Sequence, residues 1–233
     1  MTISPKELKQ VVVFQHATDE DLDLILKNSI TRSIEEGGFF FMQGDEAEYL
    51  YILTSGQVKL MQSNPSGQQV NLRTISPWQM FGALGAVRND GATYPATAQA
   101  LEDSTALAIQ SNFLRSMLET RPYLSFDLMN LMTSYIQEMQ ARYRELATER
   151  VEQRVANALI RLAGQSGFKS GKEAGIELSF SRQDVAEMTG TTLYTVSRLL
   201  SDWERRGIIK TGREKITILK PHDLLKVSEG LET

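Results

Sequence analysis

Residues 181–200, with the sequence SRQDVAEMTGTTLYTVSRLL, constrain the fold most strongly because they specify two short helices joined by a tight turn. Ser181 is followed three residues later by Asp184, which is the spacing of an N-terminal capping box. Ala186 is small enough to let a second helix approach, and Gly190 tolerates the positive φ that a sharp turn requires. This spacing is typical of a helix-turn-helix.

The second helix of this segment, expected over 193–205, has apolar residues at helical spacing on one face. They are Val196, Leu199, Leu200 and Trp203. The opposite face carries polar side chains and one tyrosine, which can meet DNA bases or phosphates. They are Thr192, Tyr194, Thr195, Ser197 and Arg198. An ordinary helical hairpin shares this pattern, but residues 208–219 read as strand, turn and strand, which favours a winged helix-turn-helix.

Composition limits the remaining possibilities. The 233 residues contain no Cys and two His, so disulfides and cysteine-ligated iron–sulfur clusters are excluded, and a histidine-based metal site is not expected. No apolar run approaches the length of a membrane span, and the polar N-terminus lacks a signal-peptide core, so we expect a cytoplasmic protein. Paired catalytic carboxylates, a nucleophile–histidine arrangement and a phosphate loop are all missing from the sequence, so an enzyme is not expected.

Charge is distributed unevenly. The net charge is −4, yet residues 181–220 carry eight Lys or Arg against five Asp or Glu. A positive end on an acidic protein suits docking of one face on DNA. Random scatter of charge could produce an excess this small.

The N-terminal part has a sequence pattern that is typical of β-proteins. Between residues 30 and 109, short apolar segments alternate with Gly, Asn, Ser and Pro, which predicts a sandwich or barrel. Residues 81–86, FGALGA, form either a loop whose N–H groups face a ligand or a close-packed corner. From 123 to about 147, one long helix is expected, since no Gly or Pro interrupts it.

This long helix has apolar positions at alternating spacings of three and four residues, which is a heptad pattern. The positions are Leu128, Met132, Tyr135, Met139, Arg142 and Leu146, and Arg142 departs from the apolar pattern. The pattern predicts a symmetric dimer in which the helix also packs on the barrel, and the alternative is a helix buried in a monomer. The charged residues 148–154 are expected to form a hinge.

The order of these parts resembles the cyclic-AMP receptor protein / fumarate–nitrate regulator (CRP/FNR) family of bacterial transcription factors. The resemblance rests on Gly44-Asp45, Leu50-Tyr51-Ile52 to Gly56, Phe81-Gly82 and Thr195-Val196-Ser197-Arg198. It implies an α+β fold: an N-terminal β-roll, which is a cyclic-nucleotide-binding-like jelly roll, over 1–122, a dimerisation helix and hinge over 123–149, and a winged helix-turn-helix over 150–233.

The resemblance also implies how DNA is bound. A homodimer would place its recognition helices in successive major grooves of a palindromic site, and RNA polymerase would be a further partner. Base reading falls on Tyr194, Ser197 and Arg198. Phosphate contacts fall on a second set, Arg182, Gln183, Thr192 and Thr195. The family usually has Glu where this chain has Tyr194.

The effector region departs further from the family. Cyclic-nucleotide binders place Glu after Phe-Gly, where this chain has Ala83, and Arg-Ser where it has Tyr94-Pro95. They present Thr-Ser where Met139-Gln140 fall. We therefore expect no cyclic-AMP binding, and an unidentified effector. A pocket lined by Ala83, Tyr94, Pro95, Met132, Tyr135 and Met139 would suit an uncharged or amphipathic ligand, or these side chains fill the space and nothing binds. The alternative function is a β-roll module that acts on a protein partner without DNA.

Overall fold

A computed structural model of the chain describes residues 3–63, 69–87, 91–165, 175–212 and 214–231. The expected turn between Ser63 and Gln69, most of the glycine-rich segment 164–175, and Arg213 lie outside the described residues. The chain divides into two compact units, Met1–Glu138 and Met139–Thr233. The proposed three-part division at 122 and 149 stays a prediction.

The first unit begins with helices that close one end of its core. Helix α1 is Pro5–Leu8, a 3-10 turn covers Val12–Phe14, and α2 is Asp19–Lys27. Helix α2 starts with a capping box in which the Thr18 hydroxyl oxygen accepts from the Asp21 backbone N–H at 3.2 Å. These helices bury Leu8, Phe14, Leu22 and Ile25 in one apolar cluster.

Two four-stranded antiparallel sheets form the expected β-roll. The strands are β1 (Ser29–Ile34), β2 (Phe39–Phe41), β3 (Tyr49–Ser55), β4 (Val58–Ser63), β5 (Gln69–Ile75), β6 (Met80–Phe81), β7 (Thr97–Ala100) and β8 (Ser104–Gln110). One sheet has the order β1-β8-β3-β6 and the other β2-β7-β4-β5. Their facing sides bury a second cluster that is rich in aromatic residues.

Helices α3 (Ala83–Ala86), α4 (Ser111–Thr120) and α5 (Pro122–Thr148) follow β6 and β8. Helix α5 confirms the expected long helix. Leu128 is buried and the half-buried Met132 packs against the first core cluster, so these two residues give the expected packing of the helix on the barrel. The pairing of the helix with a second copy stays a prediction.

The second unit contains the remaining helices and a small sheet. Helices α6 (Val151–Gln165), α7 (Arg182–Thr189), α8 (Leu193–Arg205) and α9 (Pro221–Ser228) accompany strands β9 (Ile176–Leu178), β10 (Ile209–Gly212) and β11 (Lys215–Ile218). The sheet is antiparallel with the order β10-β11-β9. Together these elements form the winged helix-turn-helix.

The break between α5 and α6 is shorter than expected, because only Glu149 and Arg150 lie outside helices. The side chain of Gln153 accepts a hydrogen bond from the Arg150 backbone N–H at 3.1 Å, and this cap starts α6 early. Arg161 donates to both carboxylate oxygens of Glu145, at 2.7 and 2.9 Å, which ties the end of α5 to α6. Most of 148–154 is therefore helical, and the hinge itself stays a prediction.

Candidate nucleic-acid interface and β-roll interior

Helix α7 is bounded at both ends by local features that the sequence predicted. The Ser181 hydroxyl oxygen accepts from the Asp184 N–H at 3.1 Å, and Asp184 accepts in return from the Ser181 N–H at 3.0 Å. Gly190 ends α7 with φ +60°, and its hypothetical Cβ would lie 3.2 Å from Leu146. A side chain at this position would strain the backbone and crowd α5.

Helix α8 has one fully buried face and one open face. Val196, Leu200 and Trp203 are all inaccessible to solvent. On the other side, Tyr194 is 78% exposed, Arg198 is exposed and Ser197 is half-buried. The structure therefore brings the three expected base-reading residues to one side of α8. Burial of the opposite face fixes which way they point.

The four expected phosphate-binding residues differ in their exposure and in their hydrogen-bond partners. Thr192 caps α8 by accepting from the Thr195 N–H at 3.2 Å, and their hydroxyl groups are 2.9 Å apart. Gln183 is exposed and donates to Glu187 at 3.0 Å. Arg182 is half-buried and donates to the Thr211 hydroxyl at 3.1 Å. Thr192, Thr195 and Gln183 sit at helix starts, where N–H groups favour anions.

A network that sequence reasoning missed joins the wing to both helices. The Thr211 N–H and hydroxyl donate to the two carboxylate oxygens of Glu204, at 2.8 and 3.0 Å. The backbone hydrogen bond from Thr211 is the main cause that lowers the pKa of Glu204. Since Arg182 donates to the same threonine, α7, α8 and β10 share one polar contact. Only the tertiary structure brings these three residues together, although Thr211 stood beside the expected turn.

In the β-roll, Tyr94 and Ala83 belong to the packed interior. The Tyr94 ring stacks on Phe41 with centroids 3.7 Å apart, and its hydroxyl donates to the Tyr49 carbonyl at 2.6 Å. Burial is the main cause that raises the pKa of Tyr94. A Cβ on Gly85 would lie 2.5 Å from the Ala47 Cβ, so segment 81–86 is a close-packed corner.

The other expected pocket residues are not all together. Pro95 is exposed, and Met132 packs toward the first core cluster. Tyr135 is half-buried, and the guanidinium of Arg73 lies 3.8 Å from its ring centroid. Burial is the main cause that raises the pKa of Tyr135, while Arg73 opposes it. Met139 belongs to the second unit and is 68% exposed.

Comparison with known proteins gives the family. A model described as a cyclic nucleotide-binding domain matches residues 31–121, and a Crp-like helix-turn-helix domain matches residues 153–227. The chain belongs to the CRP/FNR family. The resemblance seen in the sequence is thereby confirmed, and the β-roll and helix-turn-helix are those of a transcription regulator and not of an enzyme.

Relatives and solved structures of this family span nearly the whole chain. The chain is 26% identical to the "Cyclic AMP receptor protein" of Thermus thermophilus over 96% of its own length and 100% of the relative's. It is 26% identical to the "Anaerobic regulatory protein" of Bacillus subtilis over 88% of its own length and 85% of the relative's. The structure of FixK2 from Bradyrhizobium japonicum matches with a TM-score of 0.74 at 19% identity, covering 85% of this chain and 96% of FixK2.

Within the described ranges, no helix is both long and apolar enough to cross a membrane.

Proposed function

We propose that this CRP/FNR protein is a homodimeric regulator that binds a palindromic DNA site through α8 and is controlled by an effector other than cyclic AMP. The observation that carries the proposal is the outward face of α8, where Tyr194, Ser197 and Arg198 stand opposite a fully buried face. Arg forms bidentate hydrogen bonds with guanine, and Ser accepts or donates to several bases. Tyr194 lacks the carboxylate with which a Glu would accept from cytosine.

Exposed apolar residues on α5 support the dimer. Phe126, Met129, Ile136 and Tyr143 are 61%, 62%, 55% and 74% exposed, and they are spaced by three and seven residues. Such spacing places a/d-type residues on one side of a helix, where a second copy can cover them. This stripe replaces Leu128 and Met132 as the partner-facing surface that we propose.

Two residues of the β-roll support the exclusion of cyclic AMP. Ala83 offers a buried methyl group where the family's cyclic-nucleotide binders have a carboxylate for the ribose. The ring of Tyr94 is committed to Phe41 and its hydroxyl to Tyr49, so neither is available to a cyclic phosphate. The absence of Cys likewise disfavours an iron–sulfur effector. As the family resemblance implies, we propose that the regulator acts in the cytoplasm and contacts RNA polymerase.

Selection from a randomised DNA duplex library tests this function. Purified full-length protein without added effector should enrich a two-fold symmetric site, with the half-site spacing of about one helical turn that two recognition helices require. Affinity for the selected site should fall with salt, with a log–log slope of roughly −0.9 per neutralised phosphate. If no duplex is enriched with protein alone or with cell extract, the DNA-binding proposal fails and the β-roll module acting on a protein partner takes its place.

A further inference from the structure

Arg73 points into the β-roll. It lies two residues from Ile75 on β5, and alternate residues of a strand share one face. Ile75 is fully buried in the aromatic cluster of the roll. The cross-strand partner of Arg73 is Leu60, which packs against the same cluster. The guanidinium therefore lies on the interior side of the sheet, against Tyr135 of α5.

Two of the donor atoms of this guanidinium are left without hydrogen bonds. The Nε and Nη1 atoms of Arg73 are buried and have no hydrogen-bond partner. The Arg73 side chain as a whole is half-buried, and its ring contact with Tyr135 supplies no anion. Buried polar atoms of native proteins are nearly always hydrogen-bonded, so these two donors call for an ion or ligand that completes them.

The stacking geometry leaves the donors of Arg73 available. The N–H groups of a guanidinium lie in its plane, so packing one face on an aromatic ring keeps the donor edge open to a planar acceptor. A carboxylate or phosphate accepts two such hydrogen bonds at once. Arg32 offers a comparison within the chain, because its guanidinium lies 5.0 Å from the Tyr49 ring but its side chain is exposed to water.

We propose that Arg73 binds a small anion, carboxylate or phosphate, inside the β-roll, and that the effector carries this group. The inference rests on the proposed function, in which the roll senses an effector. It replaces the expectation of an uncharged ligand, which included Tyr135 but did not consider Arg73. Because Tyr135 belongs to α5, an anion on Arg73 would bear directly on the helix that continues into the second unit.

Thermal unfolding of the full-length protein tests the site, with sodium succinate and inorganic phosphate as probes and sodium chloride at matched ionic strength as the reference. The variants are Arg73→Met, which keeps the length and removes the charge, and Arg32→Met as the matched control. At probe concentrations near ten times Kd, the parent and Arg32→Met should rise in Tm by about 3 °C or more. Arg73→Met should not respond, and without a probe its Tm should equal or exceed that of the parent.

Each outcome decides the proposal. A response to succinate alone or to phosphate alone identifies the anionic group, provided that Arg73→Met loses it. No response of the parent to either probe, or an equal response in Arg73→Met, overturns the anion site. The duplex selection above is independent, so a regulator that selects a symmetric site yet shows no anion response loses only this inference. If cyclic AMP raises the Tm of the parent but not that of Arg73→Met, the anion site is supported and the proposed exclusion of cyclic AMP is contradicted.

Discussion

The outward face of α8 and the interior of the β-roll are the two regions that meet other molecules in our proposals, and they are built in opposite ways. On α8, the residues that matter are exposed and are oriented by the buried Val196 and Trp203 behind them. In the roll, Tyr94 and Phe41 fill the space themselves, with their rings 3.7 Å apart. A change on the first surface should alter binding, and a change in the second should alter stability.

The difference bears on what a substitution does in each region. An exposed residue such as Tyr194 can be substituted without repacking the core. An interior must remain filled, so losing a ligand's charge partners requires new side chains in their place. Tyr94 and Ala83 fill the interior in this way. Arg73 differs, because its Nε and Nη1 atoms have no hydrogen-bond partner.

The largest effect should come from emptying the aromatic interior. Phe41→Ala removes a buried ring that stacks on Tyr94 and packs near Phe81, and it should lower the free energy of unfolding by about 3–5 kcal/mol. Phe39→Ala, two residues away and 42% exposed, is the control and should cost much less. Urea denaturation of both variants measures the difference. Equal losses would mean that the roll interior is not packed as described.

A smaller effect concerns acid stability of the first unit. Burial raises the pKa of Asp21, but hydrogen bonds from Tyr123, Arg121 and Thr18 outweigh it and lower the pKa from 3.8 to about 2. A lowered pKa stabilises the fold above the unfolded value, so about 2 kcal/mol should be lost as the pH falls through 4 toward 2.

Comparison with two variants isolates this carboxylate. Asp21→Asn should be less stable than the parent at pH 7, and its stability should fall less steeply between pH 5 and pH 2. Asp23→Asn, on the exposed side of the same helix, should keep the parent's acid dependence. Urea midpoints at a series of pH values measure both. A parallel acid dependence in the parent and Asp21→Asn would contradict the stated cause.

On the open face of α8, Arg198→Ala should weaken binding to the selected duplex by about 1–3 kcal/mol and relax specificity at one base pair. Its Tm should stay within a few degrees of the parent's, because the side chain is exposed. Arg205→Ala is the control, since Arg205 is exposed on the same helix and pairs with Asp202 at 2.9 Å. A titration by fluorescence anisotropy measures both. Unchanged affinity in Arg198→Ala would refute the assigned readout.

The smallest effect should come from the hydrogen bonds that join Thr211 to Arg182 and Glu204. Thr211→Val removes the hydroxyl that joins Arg182 to Glu204 and should cost about 1 kcal/mol of stability. Thr217→Val, on the neighbouring strand β11, changes a threonine outside that network and should cost less. Chemical denaturation measures the stability of each variant. If both variants lose the same stability, the network contributes nothing beyond the loss of a hydroxyl group.

Local patterns predicted the helix-turn-helix closely. Helix α8 begins and ends where the spacing of Val196, Leu200 and Trp203 placed it, and the Ser181 capping box formed as its spacing indicated. These features succeed because capping and helical periodicity involve residues within a few positions of one another. The two sheets were predicted only as a class, since strand order depends on pairs such as β3 and β8, which lie far apart in the chain.

The parts that the sequence could not place depend on contacts between distant segments. Residues 148–154 read as one charged linker, but Arg161 reaches back to Glu145 and Gln153 caps the start of α6, so only two of these residues lie outside helices. Trp203 read simply as apolar, yet its indole N–H donates to Glu152 at 3.3 Å, a partner from another helix. Charge and hydropathy along the chain do not record which opposite charge lies nearby in space.

The sequence by itself determined the family, the positions of α7 and α8, and the residues that face outward from α8, because each follows from short-range spacing. Only the tertiary structure decided which face of α5 packs on its own unit, that Tyr94 is part of the core, and that two buried donor atoms of Arg73 have no hydrogen-bond partner. Those properties arise where strands and helices far apart in sequence meet. The free energy of a charge depends on what surrounds it there, and not on its neighbours along the chain.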